Sequence, residues 1–407
     1  MPSIKSNLNL PSLDRKYWLF GITIALFQFA GYNAVTLALL AISLILLFSI
    51  NEFFDNIQPN KRFMLFLVGS LLIGLIKTFF NDTGTRSLMM WGQFYFLAFA
   101  LLGIKDKQQS LYVLKIVVFL IFFTDLFSNI LLMLGFDLPW ASLPPTRLGE
   151  VFPRFTGVKN NTLYSGSISF LAICMTLHNK HFTKQTRRIL LCMTGVNLML
   201  ASSFRYYIIL FAVVILIKFS LYAKKNLLKS TYMGIIIFVV LSTWLTRNIS
   251  LSNHLRWRLW NYTIDRIIEV PLSGIGFMFQ ELKNNAMVSF HNLAMSGVTE
   301  STILLITLCF GIPMALLFLS TIYQTLLRMG IYKDYTIELG LFLSLSLDLF
   351  WGGSLDNSLS LSLFLLSLYH INHNGYIIQK VSKYIPDRIG RQTVSDDKVP
   401  NPNINSK

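Results

Sequence analysis

Residues 247–300 read RNISLSNHLRWRLWNYTIDRIIEVPLSGIGFMFQELKNNAMVSFHNLAMSGVTE, and they form the longest break in a chain otherwise dominated by apolar runs. Nine such runs precede the break and three follow it. Its 54 residues hold four arginines, a lysine, two histidines and four carboxylates. Polar chemistry concentrated between long apolar segments is the pattern of a loop projecting from a membrane-embedded bundle.

The composition of the whole chain supports that reading. Of 407 residues, 54% are hydrophobic, only 13% are charged, and phenylalanine alone contributes 34. A soluble core has no use for so much apolar surface, whereas a multi-span membrane protein needs it. The net charge of +16 lies in short gaps between apolar runs, not on one basic face, which argues against nucleic acid as a partner. Cys174, Cys192 and Cys309 fall in or beside apolar runs without disulfide or metal-ligand spacing, and read as small buried side chains.

A crossing needs about 20 mostly apolar residues. Scanning for that length places spans at 17–34, 35–51, 62–80, 88–104, 111–135, 161–177, 187–203, 206–222, 230–246, 301–325, 335–351 and 354–371. The fold class is therefore all-α integral membrane, with about twelve transmembrane helices. Lysine and arginine favour cytoplasmic gaps. The gap at 178–188 holds Lys180, Lys184, Arg187 and Arg188 with no acid, and 223–230 holds Lys224, Lys225 and Lys229 with none. Both sit inside if the N-terminus does, together with 51–61, 104–110 and 328–335. Residues 1–371 form the membrane domain; 372–407 form a polar cytoplasmic tail whose last stretch, 395–407, has the composition of a disordered segment.

The two long gaps, 136–160 and 247–300, then face outward. Within the second, Trp257, Trp260, Ile264, Ile267 and Ile268 share one helical face, with Arg258, Tyr262, Arg266 and Glu269 on the other. This predicts an amphipathic helix at the membrane surface, ended by Pro271 and followed by a flexible turn at Gly274-Ile275-Gly276. No phosphate loop, dinucleotide fingerprint, HExxH or DxD motif is present, so neither a nucleotide cofactor nor a metal is expected. Asp125 and Asp348 lie within apolar runs, where a carboxylate is paired or functional. Lys77, Lys115 and Lys218 sit where a lysine can snorkel to the membrane boundary.

Four ordered patterns carry a resemblance. They are Arg147…Arg154-Phe155-Thr156-Gly157…Asn160-Asn161; Ser202-Ser203-Phe204-Arg205; Arg256-Trp257-Arg258 through Pro271-Leu272-Ser273-Gly274-Ile275-Gly276-Phe277; and Glu300-Ser301-Thr302 through Phe310-Gly311-Ile312-Pro313. Together they resemble the bacterial O-antigen polymerase and O-antigen ligase superfamily of the inner membrane. The resemblance implies transfer of a glycan from an undecaprenyl-diphosphate donor to an acceptor sugar at the periplasmic face, without nucleotide or metal. It implies that Arg147, Arg154, Arg205, Arg256, Arg258 and Arg266 hold the diphosphate, while Glu300 or His291 takes the proton of the attacking hydroxyl. Ligases resemble one another in a His-Asn pair about one helix length before a glycine. Here Glu300-Ser301 stands at that distance from Gly311, and His291-Asn292 stands twenty residues before it. That departure favours a polymerase acting on lipid-linked repeat units, with a chain-length regulator as a candidate partner. A ligase joining the glycan to lipid A core and a lipid-linked oligosaccharide flippase are the alternatives.

Overall fold

Apolar runs separated by short polar gaps give, in the computed structural model, helices and no strand among the described residues. Those residues are 13–30, 34–80, 85–140, 162–178, 182–200, 251–277, 301–329 and 358–384, with short pieces between 233 and 245 and between 341 and 349. Among them the helices are α1 (Arg15–Ala30), α2 (Ala34–Leu47), α3 (Ile50–Ile57), α4 (Lys61–Phe80), α5 (Thr85–Leu102) and α6 (Lys107–Met133). Then come α7 (Thr162–His178), α8 (Lys184–Leu200), α9 (Leu251–Glu269), α10 (Thr302–Met329) and α11 (Ser358–Tyr384).

Three of these are long and apolar enough to cross a membrane: α4, α6 and α10 from Thr302 to Arg328, with mean hydropathies of 2.2, 2.3 and 2.5. Length and composition thus mark a membrane protein. The outer face of α4 agrees, since Leu65, Leu72, Ile76, Phe79 and Phe80 are all exposed. In water such a surface would be a liability; in hydrocarbon it costs nothing. The spans expected at 206–222 and 335–351 lie wholly or largely outside the described residues, as does Asp348.

Helix α10 runs along α4 and α11, and α6 packs against α1, α7 and α8. Lipid tails are as apolar as leucine, so association in a bilayer relies on close packing and on hydrogen bonds between helices. Both are present. Phe63, Phe66, Phe318 and Tyr369 interlock between α4, α10 and α11, and the Tyr369 hydroxyl donates to the Ala98 carbonyl at 2.7 Å. Between α6, α7 and α8 lies a fully buried polar cage. Ser165 Oγ and Asn197 Nδ2 donate to Asp125 Oδ2, the latter at 3.1 Å. Asn197 Nδ2 also reaches Ser169 Oγ at 2.8 Å, and Asn129 Nδ2 reaches Asn197 Oδ1 at 2.8 Å. The expectation of a partnered Asp125 is met.

Three of the gaps assigned to the inner side, 51–61, 104–110 and 328–335, meet the residues just past 371 at one end of the bundle. Asn56 Nδ2 donates to the Leu102 carbonyl at 2.6 Å, and Lys107 Nζ donates to Asn56 Oδ1. Arg328 donates to the carbonyls of Pro59 at 2.5 Å and Asn372 at 3.2 Å; Asn372 Nδ2 reaches Asn60 Oδ1 at 3.0 Å. Three expectations need correction here. The gap at 51–61 contains a helix, α3, whose Asn56 faces inward. The boundary drawn at 371 does not end the bundle, because α11 continues to Tyr384 and buries Asn372. Cys192 is exposed, unlike Cys174 and Cys309.

Candidate functional site

Pro313 decides the local structure of α10. It has no N–H to offer the Cys309 carbonyl one turn earlier, so an apolar helix must break near this point. Gly311 makes the break, with φ +84° and ψ 168°, a conformation open to glycine and costly for other residues. Two carbonyls lose their helical donors and one N–H loses its acceptor. The segment after α9 replaces all three. Ile275 N–H donates to Leu308 O at 2.9 Å, Gly276 N–H to Cys309 O at 2.8 Å, and Ile312 N–H to Pro271 O at 2.8 Å. Backbone groups buried away from water must find such partners.

The approach is close enough to require glycine on both sides. Gly274 and Gly276 have φ of +61° and +81°. A Cβ on Gly274 would lie 2.4 Å from the Cys309 carbonyl carbon, and one on Gly311 would lie 2.3 Å from Leu272 O. The flexible turn expected at 274–276 is instead a fixed clamp. It also docks on α4, where the Phe277 ring occupies the space a Cβ on Gly74 would fill. Phe277 then stacks on Trp91 with centroids 6.0 Å apart and meets Phe310 edge-on at 5.9 Å.

The amphipathic helix leading into this clamp forms as expected, but its apolar stripe divides. Leu259, Trp260, Thr263 and Ile267 are buried, and α9 packs on α10. Ile264, Ile268 and, past the helix, Leu272 are exposed, Leu272 to 74%. The buried row holds α9 to the bundle, and the exposed row is an apolar strip available to lipid.

Of the arginines named from sequence, Arg258 and Arg266 are both described and both exposed. Eight residues apart on one helix, they stand about 12 Å apart along its axis. Arg266 is engaged: Nη1 pairs with Glu269 Oε2 at 2.9 Å, and its guanidinium lies 5.6 Å from the Tyr262 ring centroid. The hydrogen bond to Glu269, then that to Tyr262, raises its already high pKa. Arg256 belongs to α9, but its side chain lies outside the described residues, as do Arg147, Arg154, Arg205, His291 and Glu300. Glu300 directly precedes Ser301, whose hydroxyl accepts from Leu304 N–H at 3.4 Å and caps α10. A carboxylate there favours the helix dipole.

Sequence reading passed over two donors beside the clamp. Lys77, set aside as a snorkelling residue, has its stem against Gly276: a Cβ there would lie 2.5 Å from Lys77 Cβ. Trp91 is 1% exposed, and its indole N–H has no partner among the described residues. The paired glycines at 274 and 276 were the available signal for a close backbone approach. Among the described residues no group of three or more His, Cys, Asp or Glu side chains gathers to hold a metal. Comparison with protein-family models, with curated proteins and with solved structures finds no match in any of the three.

Proposed function

We propose that the chain is an inner-membrane glycosyltransferase that polymerises undecaprenyl-diphosphate-linked oligosaccharide repeat units at the periplasmic face. In this reading it has about twelve spans with both termini cytoplasmic. The convergence of Asn56, Lys107, Arg328 and Asn372 at one end supports that alternation, because the charge pattern assigns all four to the same side.

The observation that carries the functional reading is the clamp. Two of the four patterns behind the resemblance, separated by residues 278–299, are joined by three backbone hydrogen bonds. The stretch from Arg256 to Phe277 and the stretch from Glu300 to Pro313 are therefore parts of one built unit. That unit ties the arginine-bearing α9 to the helix that begins just after Glu300.

The chemistry follows from what such a unit can supply. The bond between the anomeric carbon and the diphosphate oxygen breaks, and charge develops on the leaving diphosphate. Fixed cations stabilise that charge without proton transfer. The acceptor hydroxyl forms the new bond to the anomeric carbon and gives its proton to a base, for which Glu300 is our assignment and His291 the other candidate. Of the two described arginines, Arg258 is the one without a carboxylate partner within α9's pairings, and it takes the larger share of donor binding.

The test is the length of surface glycan made by single variants. Arg205→Ala and Arg258→Ala should each remove long chains from cells that still contain the protein in the membrane. Long chains persisting in both variants would end the diphosphate-binding assignment.

A further inference from the structure

We infer that the buried cage around Asp125 is a positioning device for the donor's diphosphate: it holds together the three chain ends from which the first two motif patterns depart. The inference rests on the reading above, which gives Arg147, Arg154 and Arg205 of those patterns to the diphosphate. It assigns a role to Asp125, Asn129 and Asn197, none of which belongs to a pattern.

The three ends meet on one face of α6, where Asp125, Ser128 and Asn129 lie within a turn or so of one another. The segment leaving α6 is tied back at Trp140, whose Nε1 donates to Ser128 Oγ at 3.2 Å. The start of α7 is tied by Ser165, three residues after Thr162, which bonds both Asp125 and Asn129, the latter at 3.2 Å. The end of α8 is tied by Asn197, three residues before Leu200, again to Asp125 and Asn129, at 3.1 and 2.8 Å. Further along α6, Leu138 and Leu200 both pack on Leu132. Arg147 and Arg154 belong to the stretch between Trp140 and Ser165, and Arg205 follows Leu200 by five residues.

Holding helices together does not require a carboxylate. Apolar side chains of similar volume serve as well, and a charged group inside a bilayer is costly. Apolar faces in lipid, however, are kept in register by packing alone. A hydrogen bond fixes one residue of one helix against one residue of another. Five such bonds cover all three pairings of α6, α7 and α8. What this network determines is the register of the exits, more than the stability of the bundle. Register matters because a displacement of about 1 Å in groups that grip a reacting centre can cost on the order of 100-fold.

The experiment reads stability and anion affinity separately in the full-length purified protein, with inorganic pyrophosphate as the probe. Asp125→Leu, Asn129→Leu and Asn197→Leu together replace the cage with apolar volume. This variant should melt at or above the wild-type temperature and bind pyrophosphate roughly 10–100-fold more weakly. Its donor KM should rise with a smaller change in kcat, whereas a mere loss of folded protein lowers kcat and leaves KM alone. Asn197→Ala, measured well below its own melting temperature, should lose affinity in the same direction, and it decides the matter if the triple variant does not fold. Asn372→Ala, which opens bonds at the inner end instead, should be destabilised yet keep wild-type affinity. Wild-type affinity in the folded cage variants, or an equal loss in Asn372→Ala, overturns the inference; so does a wild-type protein that binds no pyrophosphate. Weakened binding in the cage variants, with the glycan ladder unchanged when the protein is deleted, keeps the positioned oxyanion site and removes the polymerase reading.

Discussion

The backbone N–H of Gly276 donates to the carbonyl of Cys309 at 2.8 Å, filling the position that Pro313 leaves without a donor. A loop residue thus performs the work of a missing helical turn. The relationship binds the end of α9 to the middle of α10, and it explains why the loop is rich in glycine.

Glycine is required at that contact by both conformation and space. Gly276→Ala and Gly311→Ala each place a Cβ at positive φ and within 2.5 Å of a neighbouring atom. Each should destabilise the protein by about 1–3 kcal/mol or more. Gly195→Ala, in α8 with nothing within 4 Å of the added Cβ, should be neutral or stabilising by up to about 1 kcal/mol. Thermal unfolding in one detergent compares the three. Equal melting temperatures would mean that the clamp is not a fixed element.

The cage around Asp125 makes a graded prediction. A single neutral hydrogen bond within a bilayer contributes about 0.6 kcal/mol on average. Ser169→Ala, losing the bond from Asn197 and its own bond to the Ser165 carbonyl, should cost about 1 kcal/mol. Asn197→Ala withdraws a donor from the buried carboxylate and an acceptor from Asn129 together, and should cost about 1–3 kcal/mol. Detergent-unfolding curves for the two variants test the order; the reverse order would contradict the cage.

The continuation of α11 past residue 371 can be tested by truncation. Asn372 is buried between Asn60 and Thr325, and Gly375 lies against the Arg328 stem. Removing 372–407 should abolish accumulation of folded protein in the membrane, whereas removing only 395–407 should leave its amount and melting temperature unchanged. Folded protein ending at residue 371 would show that the polar residues beyond it add nothing.

Within α9, the two described arginines should behave differently. Arg266 spends its guanidinium on Glu269 and Tyr262, while Arg258 has no such engagement in α9. Arg258→Ala should therefore reduce glycan polymerisation by about 10-fold or more, the loss of a charge-assisted contact. Arg266→Ala should reduce it less. The exposed Arg266–Glu269 pair adds at most about 1 kcal/mol to stability, so the comparison is not confounded by unfolding. Chain-length distributions from cells expressing each variant decide it.

What the sequence made legible was set by length and period. The runs at 62–80, 111–135 and 301–325 became α4, α6 and α10 within a few residues, because a span-length apolar run has little else to be. The α9 helix was visible in its Trp/Ile spacing. Helix α3 was not, because Ile50–Ile57 is too short for a span and carries Glu52 and Asp55. The end of α11 was hidden for a related reason. Its His370-Ile371-Asn372-His373-Asn374 looks like a polar exit, yet Asn372 finds Asn60 and Thr325 inside the bundle. The break in α10 left signals in Gly311 and Pro313, but its partner could not be read from either. Only the fold brings 271–276 and 308–312 together, and with them Lys77 and Trp91.

The most direct test of the central claim is the glycan ladder of a strain lacking this protein. A polymerase predicts a single repeat unit attached to lipid A core, with long chains restored by the wild-type chain. Long chains accumulating on the lipid carrier over bare core would identify a ligase instead, and an unchanged ladder would contradict a role in building this glycan.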